Sequence, residues 1–147
     1  MKVYAESSAP LAWLLEQEHA ELVIAALEQA DLVVASDLTM IECDRVMIRA
    51  VALGELDEAD AAERQARLGE AAAHWTLLAI DQDVIERARR PFPLEPLRTL
   101  DAIHLASALA ARRAVSDLAM LSLDDRIRQV AARLGLPLVP TDAQLTR

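Results

Sequence analysis

Leu32-Val33-Val34-Ala35 is a four-residue apolar run, ended by Ser36-Asp37, after which a helical pattern covers 37–53. A short β-branched run that gives way to a 3.6-residue period reads as a strand handing over to a helix. The same unit recurs on both sides. Before it comes Val3-Tyr4-Ala5, with Ser7-Ser8 as capping residues and Pro10 in the first helical turn. After it come apolar runs at Thr76–Ile80, Leu118–Leu123 and Leu136–Val139, the last with a proline that suits a sheet edge. Helical patterns fall at 9–17, 20–29, 57–74, 82–90, 99–113 and 125–134, and Gly54 and Gly135 stand where helix C-caps belong. Strands separated by helices predict an α/β fold with a mainly parallel sheet covered on both faces, a three-layer α/β/α arrangement. A single domain spanning 1–147 is expected, since no repeat or long linker interrupts it. The one irregular segment, Pro91-Phe92-Pro93-Leu94-Glu95-Pro96, reads as a rigid loop leading into helix 99–113.

The composition is globular, with 54% apolar residues, and no stretch approaches the roughly 18 apolar residues of a membrane span. Glu6 stands where a signal peptide would be apolar, so a cytoplasmic protein is expected. Cys43, the single cysteine, can form no internal disulfide and reads as a buried apolar side chain. The net charge of -9 argues on its face against nucleic acid, but it is unevenly spread. Residues 1–80 hold 15 acids and 5 bases, while residues 81–147 hold 9 acids and 10 bases, so part of the acid can be a functional cluster. Fourteen of the fifteen bases are arginine, whose planar fork suits phosphate.

In open parallel α/β sheets, ligands bind outside the carboxyl ends of the strands. Glu6 follows the first strand, Glu42 lies early in the helix after the second, and Asp124 follows the fourth. Asp101 opens helix 99–113, where it can point the same way. Each has an ordinary role: Glu42 in a capping box with Thr39, Asp124 as an N-cap, Asp101 as a partner of the helix dipole. Brought together, the four carboxylates would repel unless a cation neutralised them. An all-oxygen site suits Mg²⁺ or Mn²⁺, either of which can activate water on a phosphodiester. Arg45 and Arg49 beside Glu42, and Arg98 before Asp101, read either as ion-pair partners or as phosphate ligands.

At these residues the chain resembles the PIN-domain family, and especially the ribonuclease toxins of bacterial toxin–antitoxin systems. Val3-Tyr4-Ala5-Glu6-Ser7-Ser8-Ala9 is similar to the family's opening strand and first acid. Ser36-Asp37-Leu38-Thr39-Met40-Ile41-Glu42 is similar to its second-acid segment. Leu100-Asp101-Ala102-Ile103-His104-Leu105-Ala106-Ser107-Ala108 is the most specific match and carries the third. Leu121-Ser122-Leu123-Asp124-Asp125-Arg126 resembles the fourth. The resemblance implies Mg²⁺- or Mn²⁺-dependent cleavage of RNA by Glu6, Glu42, Asp101 and Asp124, a homodimer, and inhibition by a small antitoxin protein. It departs from the pattern at Glu6, where the family has aspartate and the extra methylene moves the carboxylate by about 1.5 Å.

Asp124 is preferred to Asp125 because Ser122-Leu123-Asp124 keeps the family's hydroxyl–x–acid order, which leaves Asp125 a dipole role. Ser7 and Ser122 read as hydrogen-bonding partners of metal waters or phosphate or, more simply, as caps, and His104, one turn beyond Asp101, reads as a packing histidine in preference to a catalytic base. Trp13, Trp75 and Tyr4 are too scattered to form a base-stacking platform. A receiver or haloacid-type phosphatase needs a lysine near the phosphate, and Lys2 lies at the wrong end. The three glycines form no phosphate loop. The remaining alternative is a PIN-like RNA- or protein-binding module with weak or no activity, and metal-dependent cleavage separates the two.

Overall fold

The computed structural model describes all 147 residues. Five strands form one sheet: β1 (Lys2–Ala5), β2 (Leu32–Ser36), β3 (Thr76–Leu78), β4 (Ala119–Leu121) and β5 (Leu138–Val139). Their order is β3-β2-β1-β4-β5 and every pairing is parallel, with Val3 beside both Val33 and Ala119. Eight helices complete the chain: α1 (Ser8–Leu14), α2 (Ala20–Gln29), α3 (Asp37–Ala52), α4 (Glu58–Ala72), α5 (Gln82–Ala88), α6 (Thr99–Ala114), α7 (Asp125–Arg133) and α8 (Asp142–Leu145).

The two-residue period of the strands sorts the core into layers. Tyr4, Val34 and Met120 point to one face, where Val84 of α5, Leu105 of α6 and Ile127 of α7 cover them. Val3, Ala5, Val33, Ala35 and Leu121 point to the other, against Ala9 of α1 and Val23 of α2. A smaller cluster of Leu14, Cys43, Met47, Ala61 and Leu68 packs α3 and α4 beside α1. The expected three-layer α/β/α architecture is the one found, with β5 at a sheet edge as its proline implied.

Several boundaries contract. The first helix, expected over 9–17, stops at Leu14 because the chain turns through Glu16 and His19, both at positive φ. Strands expected at 76–80, 118–123 and 136–139 keep only the residues that have a neighbour to pair with. Helix α8, which was not expected, rests on a capping box between Thr141 and Gln144. Gly54 and Gly135 do take the left-handed conformation expected after a helix, at φ 73 and φ 81. No helix is long and apolar enough to cross a membrane.

Strand order reverses between β1 and β4: the chain steps from β1 to β2 and β3 on one side, and β4 leads to β5 on the other. That reversal opens a crevice at the carboxyl edge of the sheet, where α/β folds place ligands. Glu6 stands in it, with its backbone N–H donating to the Leu121 carbonyl at 3.0 Å.

Candidate active site

Glu6, one residue past β1, is 5% exposed. Both of its carboxylate oxygens are engaged. Oε1 accepts from the Ser8 backbone N–H at 3.1 Å, and Oε2 accepts from the Ser8 hydroxyl and from Ser122 Oγ at 2.7 Å. Ser122 Oγ also accepts from the Asp124 backbone N–H at 3.1 Å, and Ser8 Oγ from that of Leu123 at 2.9 Å. These bonds tie the end of β1 to the loop after β4. Ser7 and Ser8 were expected to cap α1. Ser7 does stand at the N-cap, but its side chain makes no capping bond; both hydroxyls go to carboxylates instead.

Burial pushes the Glu6 carboxyl above its ordinary value, against the smaller opposing pull of the His104 charge and of its hydrogen bonds. A folded-state pKa raised in this way gives stability that is complete below the ordinary carboxylate range. It is lost as pH rises through the raised value and the buried group must ionise. Glu6→Gln, which never ionises, should therefore melt higher than the parent at pH 8, and the gap should close near pH 4. Melting curves across that range check this, and a variant that melts lower throughout would show that hydrogen bonding outweighs the buried charge.

Glu42 sits on α3, but not in a capping box with Thr39 as expected. The cap is Ser36, whose hydroxyl accepts from the Leu38 N–H at 3.0 Å, with Thr39 bonding back to the Ser36 N–H. Glu42 is left free to face inward. Its Oε1 accepts from Ser7 Oγ at 2.6 Å and from His104 Nε2, while Oε2 makes no hydrogen bond. Burial raises its carboxyl, but the bonds from His104 and Ser7 and the charges of His104 and Arg98 outweigh it, and the net shift is downward. Glu42 is thus a carboxylate at neutral pH.

His104 is 1% exposed on α6, with Nδ1 2.9 Å from the Tyr4 hydroxyl and Nε2 2.9 Å from Ser7 Oγ. Its place in the core agrees with a packing role, yet its polar edge meets a candidate site acid. The spacing from Asp101 gave no sign of that, because Tyr4 and Ser7 lie about a hundred residues away. Cys43 is buried as expected, and burial pushes its thiol up to about 12, so it is neutral.

Asp101 and Asp124 meet at the mouth of the crevice. Asp101, in the first turn of α6, accepts two bonds from the Arg98 guanidinium, at 2.9 and 3.2 Å. Asp124 is the N-cap of α7: its Oδ1 accepts from the Ile127 N–H at 2.9 Å, and its Oδ2 lies 3.4 Å from the same guanidinium. Hydrogen bonding to Asp101 holds Arg98 more firmly protonated. Both acids line a cavity of about 610 Å³ with Arg126, Pro96, Leu123, Arg98 and the exposed Asp125. Glu6 and Glu42 do not line it. Arg45 and Arg49 are exposed on α3 and make no ion pair; Arg98 does, and so takes the ion-pair reading of the two expected for it.

Whether these residues suit a divalent cation follows from their donors. All are hard oxygens, which Mg²⁺ and Mn²⁺ prefer. Asp101 and Asp124 already converge on one cationic group, and Glu42 keeps Oε2 unengaged, so the residues fit such an ion. No three of the carboxylate, imidazole or thiol side chains converge on one point in this arrangement, and Arg98 stands between Asp101 and Asp124.

A PIN-domain family model matches residues 3–142. Ribonuclease VapC46 of Mycobacterium tuberculosis is 33% identical over 138 residues, covering 93% of this chain and 95% of the relative. Among solved structures, VapBC2 from Rickettsia felis, bound to a promoter DNA fragment, superposes at TM-score 0.62 with 8% identity, covering 94% of this chain and 97% of that one. VapC20 of M. tuberculosis, described as a Sarcin–Ricin loop cleaving toxin, gives TM-score 0.62 and 12% identity over 86% of this chain and 93% of its own. At these identities the superpositions speak for the fold. The family match along nearly the whole chain, together with the relative at 33% identity, shows that this chain belongs to the PIN-domain family.

Proposed function

We propose that this chain is a metal-dependent endoribonuclease, the toxin of a toxin–antitoxin pair acting on RNA in the cytoplasm. One observation carries the reading: acids from four separate segments stand at the carboxyl edge of one parallel sheet, tied together through Ser7, Ser122 and Arg98. The ribonuclease name of the relative at 33% identity supports the reaction class, and the description of VapC20 as a Sarcin–Ricin loop cleaving toxin agrees with it.

Asp101, Asp124 and the free Oε2 of Glu42 would hold Mg²⁺ or Mn²⁺, with Glu6 behind them adding charge through Ser8 and Ser122. When bound, such an ion activates a water and stabilises the charge that develops on a phosphodiester. The chain's own residues set the rest. Ser122 joins Glu6 to the backbone of Asp124, and His104 and Ser7 hold one oxygen of Glu42, so both acids keep a fixed orientation. Arg126 at the cavity rim is placed to meet backbone phosphate.

Purified protein should cut single-stranded RNA with Mg²⁺ or Mn²⁺ and stop when EDTA is added. Absence of cleavage under both ions would leave the second reading, an inactive RNA- or protein-binding module, which the ion pairing of Asp101 and Asp124 with Arg98 favours. A small antitoxin is the proposed protein partner. Pairing of two copies of this chain is supported by Ile41 and Ile48, 54% and 48% exposed and two turns apart on α3. Light scattering should then give twice the 16.1 kDa chain mass, and a monomer at every concentration would remove the homodimer.

A further inference from the structure

Arg98 is the cation that pairs with the acids at the mouth of the crevice. Its fork makes two bonds to Asp101 and reaches Asp124, so one positive group satisfies both acids. The two sides of this arrangement differ in burial and in anchoring. The Asp101 side chain is 8% exposed and Asp124 is anchored by the Ile127 N–H, whereas the Arg98 side chain is 76% exposed and makes no hydrogen bond except to these acids. The acids are held, and the arginine is free to leave. We propose that Arg98 is a built-in counter-ion of the Asp101–Asp124 pair, which a divalent ion must displace to enter. This rests on the reading that the acids hold such an ion.

The consequence is a competition. With Arg98 in place the pair carries one uncompensated negative charge; with a divalent ion in its stead it carries none. Exchange needs only a rotation of an exposed side chain, and no movement of the sheet edge. Ion affinity is lowered by the fraction of time that Arg98 occupies the pair. An exposed two-pronged ion pair is worth about 1 kcal/mol, equivalent to roughly fivefold in that affinity. The same device accounts for how four acids share one edge without an ion: two share the Arg98 guanidinium, one is buried among hydroxyls, and one is bonded to His104.

Calorimetric titration with Mn²⁺ alone, without RNA, tests this on the parent, Arg98→Gln and Arg126→Gln. Arg126 lines the same cavity and makes no ion pair, so its variant removes a like charge without opening the acid pair. Arg98→Gln should bind Mn²⁺ about fivefold tighter than the parent, and Mn²⁺ should raise its melting temperature more. Arg126→Gln should change affinity less than about twofold. Equal or weaker binding by Arg98→Gln overturns the counter-ion role and leaves the ion site standing, as does an equal gain in the Arg126 variant. If none of the three proteins binds Mn²⁺, the divalent-ion reading falls and this inference falls with it. Binding by Arg98→Gln where the parent shows none supports it most strongly.

Discussion

RNA cleavage by the Asp101→Asn protein is expected to fall by roughly 10²–10³-fold or more, the loss typical when a charge-stabilising group leaves an active site, while its folding is little changed. Asparagine keeps the shape and one acceptor oxygen but removes the charge and puts an NH₂ donor where a cation would bind. The effect on stability is a balance of small terms. The ion pair to Arg98 and the favourable place of an acid in the first turn of α6 are lost, each worth about 1 kcal/mol or less with an exposed partner. Repulsion between Asp101 and Asp124 is relieved in return. The melting temperature should therefore stay within about 4 °C of the parent. Asp125→Asn is the matched control, because Asp125 is exposed, lines the same cavity and bonds to neither Arg98 nor a backbone N–H. It should cleave nearly as the parent does. Equal cleavage by the Asp101 variant and the parent would sink the assignment of Asp101.

Much of the architecture was legible in the chain because its signals are local. Val33, Val34 and Ala35 followed by a capping serine mark a strand and the start of a helix whatever surrounds them. Placing Glu6, Glu42 and Asp124 at one edge needed only the rule that parallel strands end on the same side. The arrangement of hydrogen bonds was not legible. The Ser8 hydroxyl reads as a cap from the sequence, since a serine after a strand and before a proline fits that role. It goes to Glu6 because Ser122, over a hundred residues on, fixes the carboxylate there. The Arg98–Asp101 pair was open to two readings because i,i+3 spacing is common to ion pairs of every kind. Only the approach of Asp124 to the same guanidinium sets it apart, and that contact is made across twenty-six residues. Long-range polar pairing leaves no periodicity behind, so the sequence shows where the acids stand and not what holds them.

The second large effect is expected at His104. The ring lies between the core and the crevice, with Tyr4 on one nitrogen and Glu42 and Ser7 on the other. A carboxylate only accepts, so Nε2 is the donor to Glu42, while Nδ1 faces the Tyr4 hydroxyl at 2.9 Å. Burial pushes the Tyr4 hydroxyl far above its ordinary pKa, so it remains a donor at every relevant pH. His104→Ala leaves a cavity in α6 and a buried hydroxyl without its partner, costing about 3 kcal/mol together. For a chain of this length that is roughly a 6–12 °C fall in melting temperature. Tyr4→Phe in the same protein removes the orphaned hydroxyl, so the double variant should be more stable than the sum of the two single losses. Cleavage should fall as well, by a route that stability does not share: Glu42 loses a donor that fixes Oε1 and is free to turn. His104→Gln tests this separately, because its amide can still donate to Glu42. It should recover part of the activity lost in His104→Ala when both are assayed well below their melting temperatures. If the two variants cleave equally poorly while the glutamine protein regains its stability, His104 serves the core alone, and Glu42 is positioned by Ser7 without it.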